Sequence, residues 1–151
     1  MSAFGAVAVE RARPRTVLVA VAVLVALVAN LLVYAIGRLA GGRYQFTGAS
    51  PAGGAPVVNE VDALTVAGFT VVPLLVGLTL AAALSRRWPW VLTVALVVAP
   101  VLALVTIALG TVPVDFDTVS TVALGACHVV AGIVSVLALL QLRRLHPHRP
   151  A

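Results

Sequence analysis

VSTVALGACHVVAGIVSVLALLQL, residues 119–142, decides how the chain is read. It holds 24 consecutive residues without an acid or an arginine, about 36 Å of α-helix at 1.5 Å per residue, which exceeds a hydrocarbon core of about 30 Å. One ionisable imidazole, His128, stands deep inside it. Arg143 and Arg144 close it at one end, and Asp115 and Asp117 stand before the other.

Three further stretches have the same character. Residues 16–37 and 63–85 are free of charge, and 91–109 form a third uncharged run. With 62% hydrophobic residues, 10% charged residues and a mean hydropathy of +1.13, the chain is too apolar for an ordinary soluble domain. We expect an all-α integral membrane bundle of four transmembrane helices, at about 16–37, 63–85, 91–109 and 119–142. A basic flank (1–15) and a basic tail (143–151) frame this 16–142 domain. A cleaved signal peptide is the competing reading of the first helix, but its apolar core would be only about 7–15 residues long.

The connections carry the punctuation. Residues 38–62 hold Gly41, Gly42, Pro51, Gly53, Gly54 and Pro56, so a long loop without a recognisable motif is expected, contributing little apolar surface. Asp62 is placed to cap the second helix, and Asp117 or Thr118 the fourth. Arg86, Arg87, Trp88, Pro89 and Trp90 make a connection so short that the helices on either side are antiparallel neighbours, and the two indoles suit a headgroup region. Pro73 and Pro100 fall near the middle of the second and third helices and predict kinks.

The formal charge of +5 does not imply nucleic acid, because the ten arginines sit at the ends of apolar runs and are not interleaved with aromatic residues. Their distribution predicts orientation instead. The first flank, the 86–87 connection and the tail hold eight arginines and one acid; the other side holds Arg38 and Arg43 with Glu60, Asp62, Asp115 and Asp117. Both termini are therefore expected to be cytoplasmic. The absence of lysine and the heavy use of Ala, Val, Gly and Arg suggest a bacterial source, hence a multi-pass protein of the bacterial inner membrane.

Depth along each helix gives the sharpest functional expectation. His128, Asn30 and Thr70 all fall about 10–14 Å below the same surface, so a shared polar layer is predicted. Thr121, Gly125, His128, Gly132 and Ser135 recur at spacings of three and four, a small-residue face around the imidazole, and Ala63, Ala67, Thr70, Gly77 and Ala81 form a matching stripe on the second helix. These two faces are expected to pack on each other. His128 then reads either as an interhelical hydrogen-bonding group toward Asn30 or a threonine, the reading given more weight, or as a protonatable or ligand-binding side chain. A bis-histidine haem within one chain is excluded, since no second histidine lies in a span; only a dimer could supply the pair.

Other constellations read as structural. His146 and His148 flank Pro147 in a solvated tail, with no carboxylate or thiolate to complete a metal site. The pairs Asp115/Asp117 and Glu60/Asp62 read as helix caps. Cys127 beside His128 resembles a nucleophile with its base, yet neighbouring helix positions point about 100° apart. The single cysteine excludes an intrachain disulfide, and no phosphate loop, metalloprotease helix or nucleophile elbow occurs.

The order of features from Asp62 onward, an apolar span, then Arg86, Arg87 and Trp88 in a tight connection, another span, and a last helix with an inward His128 followed by valines, resembles a family of uncharacterised actinobacterial four-helix membrane proteins, domain of unknown function 6069. The resemblance spans nearly the whole chain and implies the four-helix architecture; it brings no activity with it. The expected function is a structural or partner-binding membrane subunit, in contact with the lipid bilayer and with a homo-oligomeric or other membrane-protein partner. The alternative is a small oligomeric proton-linked transporter using His128. No enzyme activity, cofactor, metal or nucleic-acid partner is expected.

Overall fold

A computed structural model of the chain describes residues 3–50 and 53–145, with side chains from residue 14 onward. Among the described residues, four helices are long and apolar enough to cross a membrane. They are α1 (Ala3–Leu39), α2 (Ala63–Leu84), α3 (Trp90–Thr106, continued by a π-helical turn, Ile107–Thr111) and α4 (Thr118–Arg144). The spans expected at 16–37, 63–85, 91–109 and 119–142 lie on these helices. α1 differs most, beginning thirteen residues earlier than expected, because the basic flank of Ala, Val, Glu and Arg residues holds good helix formers that continue the coil through Pro14. The tail residues His146 and His148 lie outside the described residues.

Two caps set the helix starts at one end of the bundle. Asp62 accepts from the Thr65 N–H (2.7 Å) and hydroxyl (2.6 Å), and Asp117 accepts from the Ser120 N–H (3.0 Å) and hydroxyl (2.6 Å), satisfying donors that the first turn leaves open.

α1 is the central helix. Val19, Val23, Ala26, Asn30, Tyr34 and Gly37 repeat at spacings of three and four and are all buried. α1 packs on both α2 and α4, α4 packs also on α3, and α2 meets α3 and α4 less extensively. This corrects the expected pairing of α2 with α4. The buried residues of α2 are Val66, Thr70, Leu74, Leu78, Ala81 and Ala82; Thr70 and Ala81 of the expected stripe are inside, whereas Gly77 is exposed, and an added Cβ there would meet nothing within 4 Å. The larger core cluster includes Ala22, Ala26, Leu78, Ala82, Leu92 and Leu139, with alanines letting the backbones approach.

The 38–62 segment is more than a loop. Gln45–Gly48 (β1) and Val57–Glu60 (β2) pair antiparallel, with Gln45 opposite Glu60 and Gly48 opposite Val57. The base of this hairpin is latched to the bundle. Tyr44 is fully buried, adopts the left-handed region (φ 57°), packs its ring against Tyr34 at 4.6 Å between centroids with the planes tilted by 46°, and donates its hydroxyl to the Tyr34 carbonyl at 3.2 Å. Its N–H donates to the Ser120 hydroxyl (2.8 Å), the Arg43 N–H to Asp117 (3.0 Å) and the Thr47 N–H to Asp115 (2.9 Å). Arg38 joins the parts: it donates to the Tyr34 hydroxyl (3.0 Å) and the Arg43 carbonyl (3.0 Å), and it pairs with Glu60. The expectation that this segment contributes little therefore fails at its base, because one tyrosine inserts between α1 and α4 and four backbone or side-chain donors find anchored acceptors. The described glycines of this segment outside the strands are Gly41 and Gly42 before the hairpin and Gly53 and Gly54 between β1 and β2.

Ionisation of the latch follows from its contacts. Hydrogen bonds from the Ser120 hydroxyl and N–H, then from the Arg43 N–H, hold the Asp117 carboxyl well below the usual range, and the bonds from Thr47 do the same for Asp115. Burial pushes the Tyr44 hydroxyl up to about 12.

Two measurements check this architecture. A Cβ at Gly37 would stand 2.0 Å from the Tyr44 hydroxyl and 2.9 Å from the Ala123 Cβ, so Gly37→Ala should destabilise by about 1–3 kcal/mol, while Gly77→Ala should be neutral within about 0.5 kcal/mol. Unfolding in mild detergent distinguishes the two; equal stability of both variants would contradict the Tyr44 insertion. The latch's own contribution to stability should be level from about pH 5 to pH 9. Depressed carboxyls contribute stability above their unfolded value near 3.9 and lose it as pH falls, whereas the raised Tyr44 loses its contribution as pH climbs from about 10 through its folded value. Tyr44→Phe should remove the alkaline decline, and an unaltered decline in that variant would assign it elsewhere.

Candidate functional site

Three helices converge on a polar layer about 10–14 Å below the hairpin end of the spans. Asn30 (2% exposed) comes from α1, Thr70 (4%) from α2 and Cys127 (6%) from α4. The Asn30 amide donates from Nδ2 to the Thr70 Oγ1 at 2.9 Å, and Thr70 donates onward to the Val66 carbonyl at 2.7 Å. The second bond returns the Thr70 proton to its own helix, four residues back, as hydroxyls in apolar helices commonly do. Cys127 donates a weak thiol contact to the Asn30 carbonyl at 3.7 Å. The Asn30 Oδ1 is buried without a hydrogen-bond partner among the described residues.

Sequence depth thus places Asn30 and Thr70 together, as expected, but not His128. The buried residues of α4 are Ser120, Ala123, Cys127, Ser135, Ala138, Leu139 and Leu142, of which Cys127 meets Asn30 of α1. His128 lies about 100° around the helix from Cys127. Its face is that of Gly125 and Gly132, where added Cβ atoms would stand 4.0 Å from the Ile107 Cγ2 and 3.3 Å from the Ala103 Cβ, so this face looks toward α3 and its π turn. His128 is half-buried and forms no hydrogen bond with a described residue. The expected bond from His128 to Asn30 is therefore replaced by the Asn30–Thr70 bond.

Two stripes of α4 carried small residues at helical spacing, and periodicity alone does not choose between them. The signal that would have chosen is the cap: Asp117 and Ser120 are fixed by the hairpin, and Ala123 and Cys127 follow Ser120 at spacings of three and four.

One turn along α4 from His128, a groove of about 310 Å³ opens between α3 and α4, lined chiefly by Pro100, Ala103, Ile107, Val129, Gly132 and Ile133. The lining is almost wholly apolar. Among the described residues no three histidine, cysteine or carboxylate side chains gather where a metal ion could be held. The polar layer offers one orphan amide oxygen and one thiol, an arrangement suited to hydrogen bonding and lacking a neighbouring acid or base for proton abstraction.

Double-mutant cycles check the layer. Thr70→Val leaves both ends of the Asn30 amide without partners, whereas Asn30→Leu removes the orphan oxygen along with the bond, so Thr70→Val should be the more costly single change. Their coupling should be about 0.6–1.7 kcal/mol, the range of membrane side-chain hydrogen bonds, and Asn30→Leu with His128→Leu should be additive. Coupling of Asn30 to His128 in place of Thr70 would reverse the assignment.

No curated protein and no solved structure matches the sequence. A family model, however, covers residues 10–145, which include all four spans, the latch and the polar layer: the chain belongs to the family of unknown function DUF6069.

Proposed function

We propose that this protein is a multi-pass subunit of the bacterial inner membrane, with both termini cytoplasmic, that binds another membrane protein or a second copy of itself through α3 and the adjoining face of α4. The observation that carries the proposal is His128. An imidazole within a span costs several kcal/mol when its polar atoms are unsatisfied in hydrocarbon. In the single chain it has no hydrogen-bond partner among the described residues, and an apolar groove opens one turn along α4. A partner helix that fills the groove and meets the imidazole satisfies both.

α3 supports the same surface. Only 6% of its most apolar window is buried within the chain, against 28–33% for the other three spans. The central position belongs to α1, so α3 is free to serve a contact outside the bundle. The small transporter reading shares the unpaired His128 but would need a titrating group in a polar pathway, and the groove is apolar.

A photo-crosslinking side chain placed at Leu104, on the exposed face of α3, should capture a protein partner in cells, while the same group at Leu32 on α1, equally exposed, should not. His128→Leu should lower capture about fivefold, the effect of one hydrogen bond of about 1 kcal/mol. Capture of lipid alone at both positions would sink the partner reading. Proton-driven uptake by vesicles of the purified chain, abolished by His128→Leu, would replace it with transport.

A further inference from the structure

At the end of the bundle opposite the hairpin, cations gather without a described counter-charge. Arg86 and Arg87 follow α2, Arg143 and Arg144 form the last turn of α4, and all four are exposed. None of these guanidinium groups forms a hydrogen bond or ion pair with another described residue; Arg87 lies 5.8 Å from the Trp88 ring centroid. The carboxylates whose side chains are described, Glu60, Asp62, Asp115 and Asp117, all belong to the hairpin end. The fifth cation is Arg15 of α1, buried, which donates to the Ala82 carbonyl near the end of α2 (3.3 Å) and is near enough to Arg86 for the two charges to repel.

The packing beneath fixes the spacing. Ala82, Leu92, Leu139 and Leu142 belong to one buried cluster that ties the ends of α2 and α4 to the start of α3. Arg86 and Arg87 after α2 and Arg143 and Arg144 in the last turn of α4 are thereby held at one end of the bundle, exposed above a common apolar cluster. Guanidinium forks match phosphate oxygens bidentately.

We infer that this end is a binding site for the phosphate headgroup of an anionic phospholipid. The membrane is the source favoured over free phosphate because the site continues directly into apolar surface: Trp88, Trp90, Leu84 and Val94 are exposed beside it and run toward the span. Indoles at the headgroup level and a basic pocket between helix ends are the features by which anionic lipids are retained. Orientation across a membrane requires only that positive charges be present on one side. The site requires guanidinium groups in one place.

Native mass spectrometry of the full chain, released from mild detergent, tests this with phosphatidylglycerol, phosphatidylcholine and inorganic phosphate as probes. Phosphatidylglycerol should remain bound at least about tenfold more than phosphatidylcholine, given about 1 kcal/mol per arginine near a lipid surface. R86Q/R87Q, and separately R143Q/R144Q, should reduce retention to the phosphatidylcholine level, and R86K/R87K should keep part of it. R43Q, which removes a charge at the opposite end, should leave retention unchanged. Equal retention of the two lipids by the unmodified chain, or an equal loss in R43Q, would overturn the site. Displacement of phosphatidylglycerol by millimolar inorganic phosphate would overturn the lipid as its occupant.

Discussion

Close approach of α1 to two neighbours is the constraint on which the bundle rests. In lipid, helices gain little from hiding apolar surface, so association depends on how near the backbones come and on the few polar groups that meet. α1 meets both conditions along one stripe: Ala22 and Ala26 permit contact, Asn30 supplies the polar bond, and Gly37 leaves the space that Tyr44 fills. Each level of that stripe is matched by a partner at the same depth. Replacing alanine by a longer chain would separate α1 from α2 and α4 together, because the same narrow face serves both.

The two ends of the molecule are built on different physical terms. The hairpin end is closed: acids cap helices, accept from backbone donors of the hairpin, and pair with Arg38. The opposite end is open, with guanidinium groups that face outward and a short connection holding two tryptophans. The macrodipoles of α2 and α4 are favourably placed, since both helices begin beside acids and α4 ends in arginines. Between the ends lies the small Asn30–Thr70–Cys127 layer, which divides the larger core cluster from the tyrosine cluster beneath the hairpin.

Span number and placement were legible in the sequence because an uninterrupted uncharged run of the right length has few other readings. The caps at Asp62 and Asp117 were legible for the same local reason. Depth along a helix correctly joined Asn30 with Thr70. Azimuth was not legible: His128 and Cys127 are adjacent in sequence and at nearly the same depth, and which of them meets Asn30 depends on the rotation of α4, set by contacts at Ser120. The hairpin escaped notice because its anchors are a single tyrosine and backbone N–H groups whose acceptors lie about seventy residues away, and neither produces periodicity.

That separation has a consequence for how the protein is made. Tyr44 is bonded to Ser120, 76 residues further along the chain. At about 5–20 residues per second, the synthesis of those residues takes on the order of 4–15 s. During that interval α1 is present and α2 is made, but the hairpin between them lacks half of its docking surface: Tyr44 has Tyr34 of α1 to lean on and nothing to receive its N–H. The fourth helix is therefore the one that completes the hairpin between the first two, a long-range closure that waits until α4 arrives.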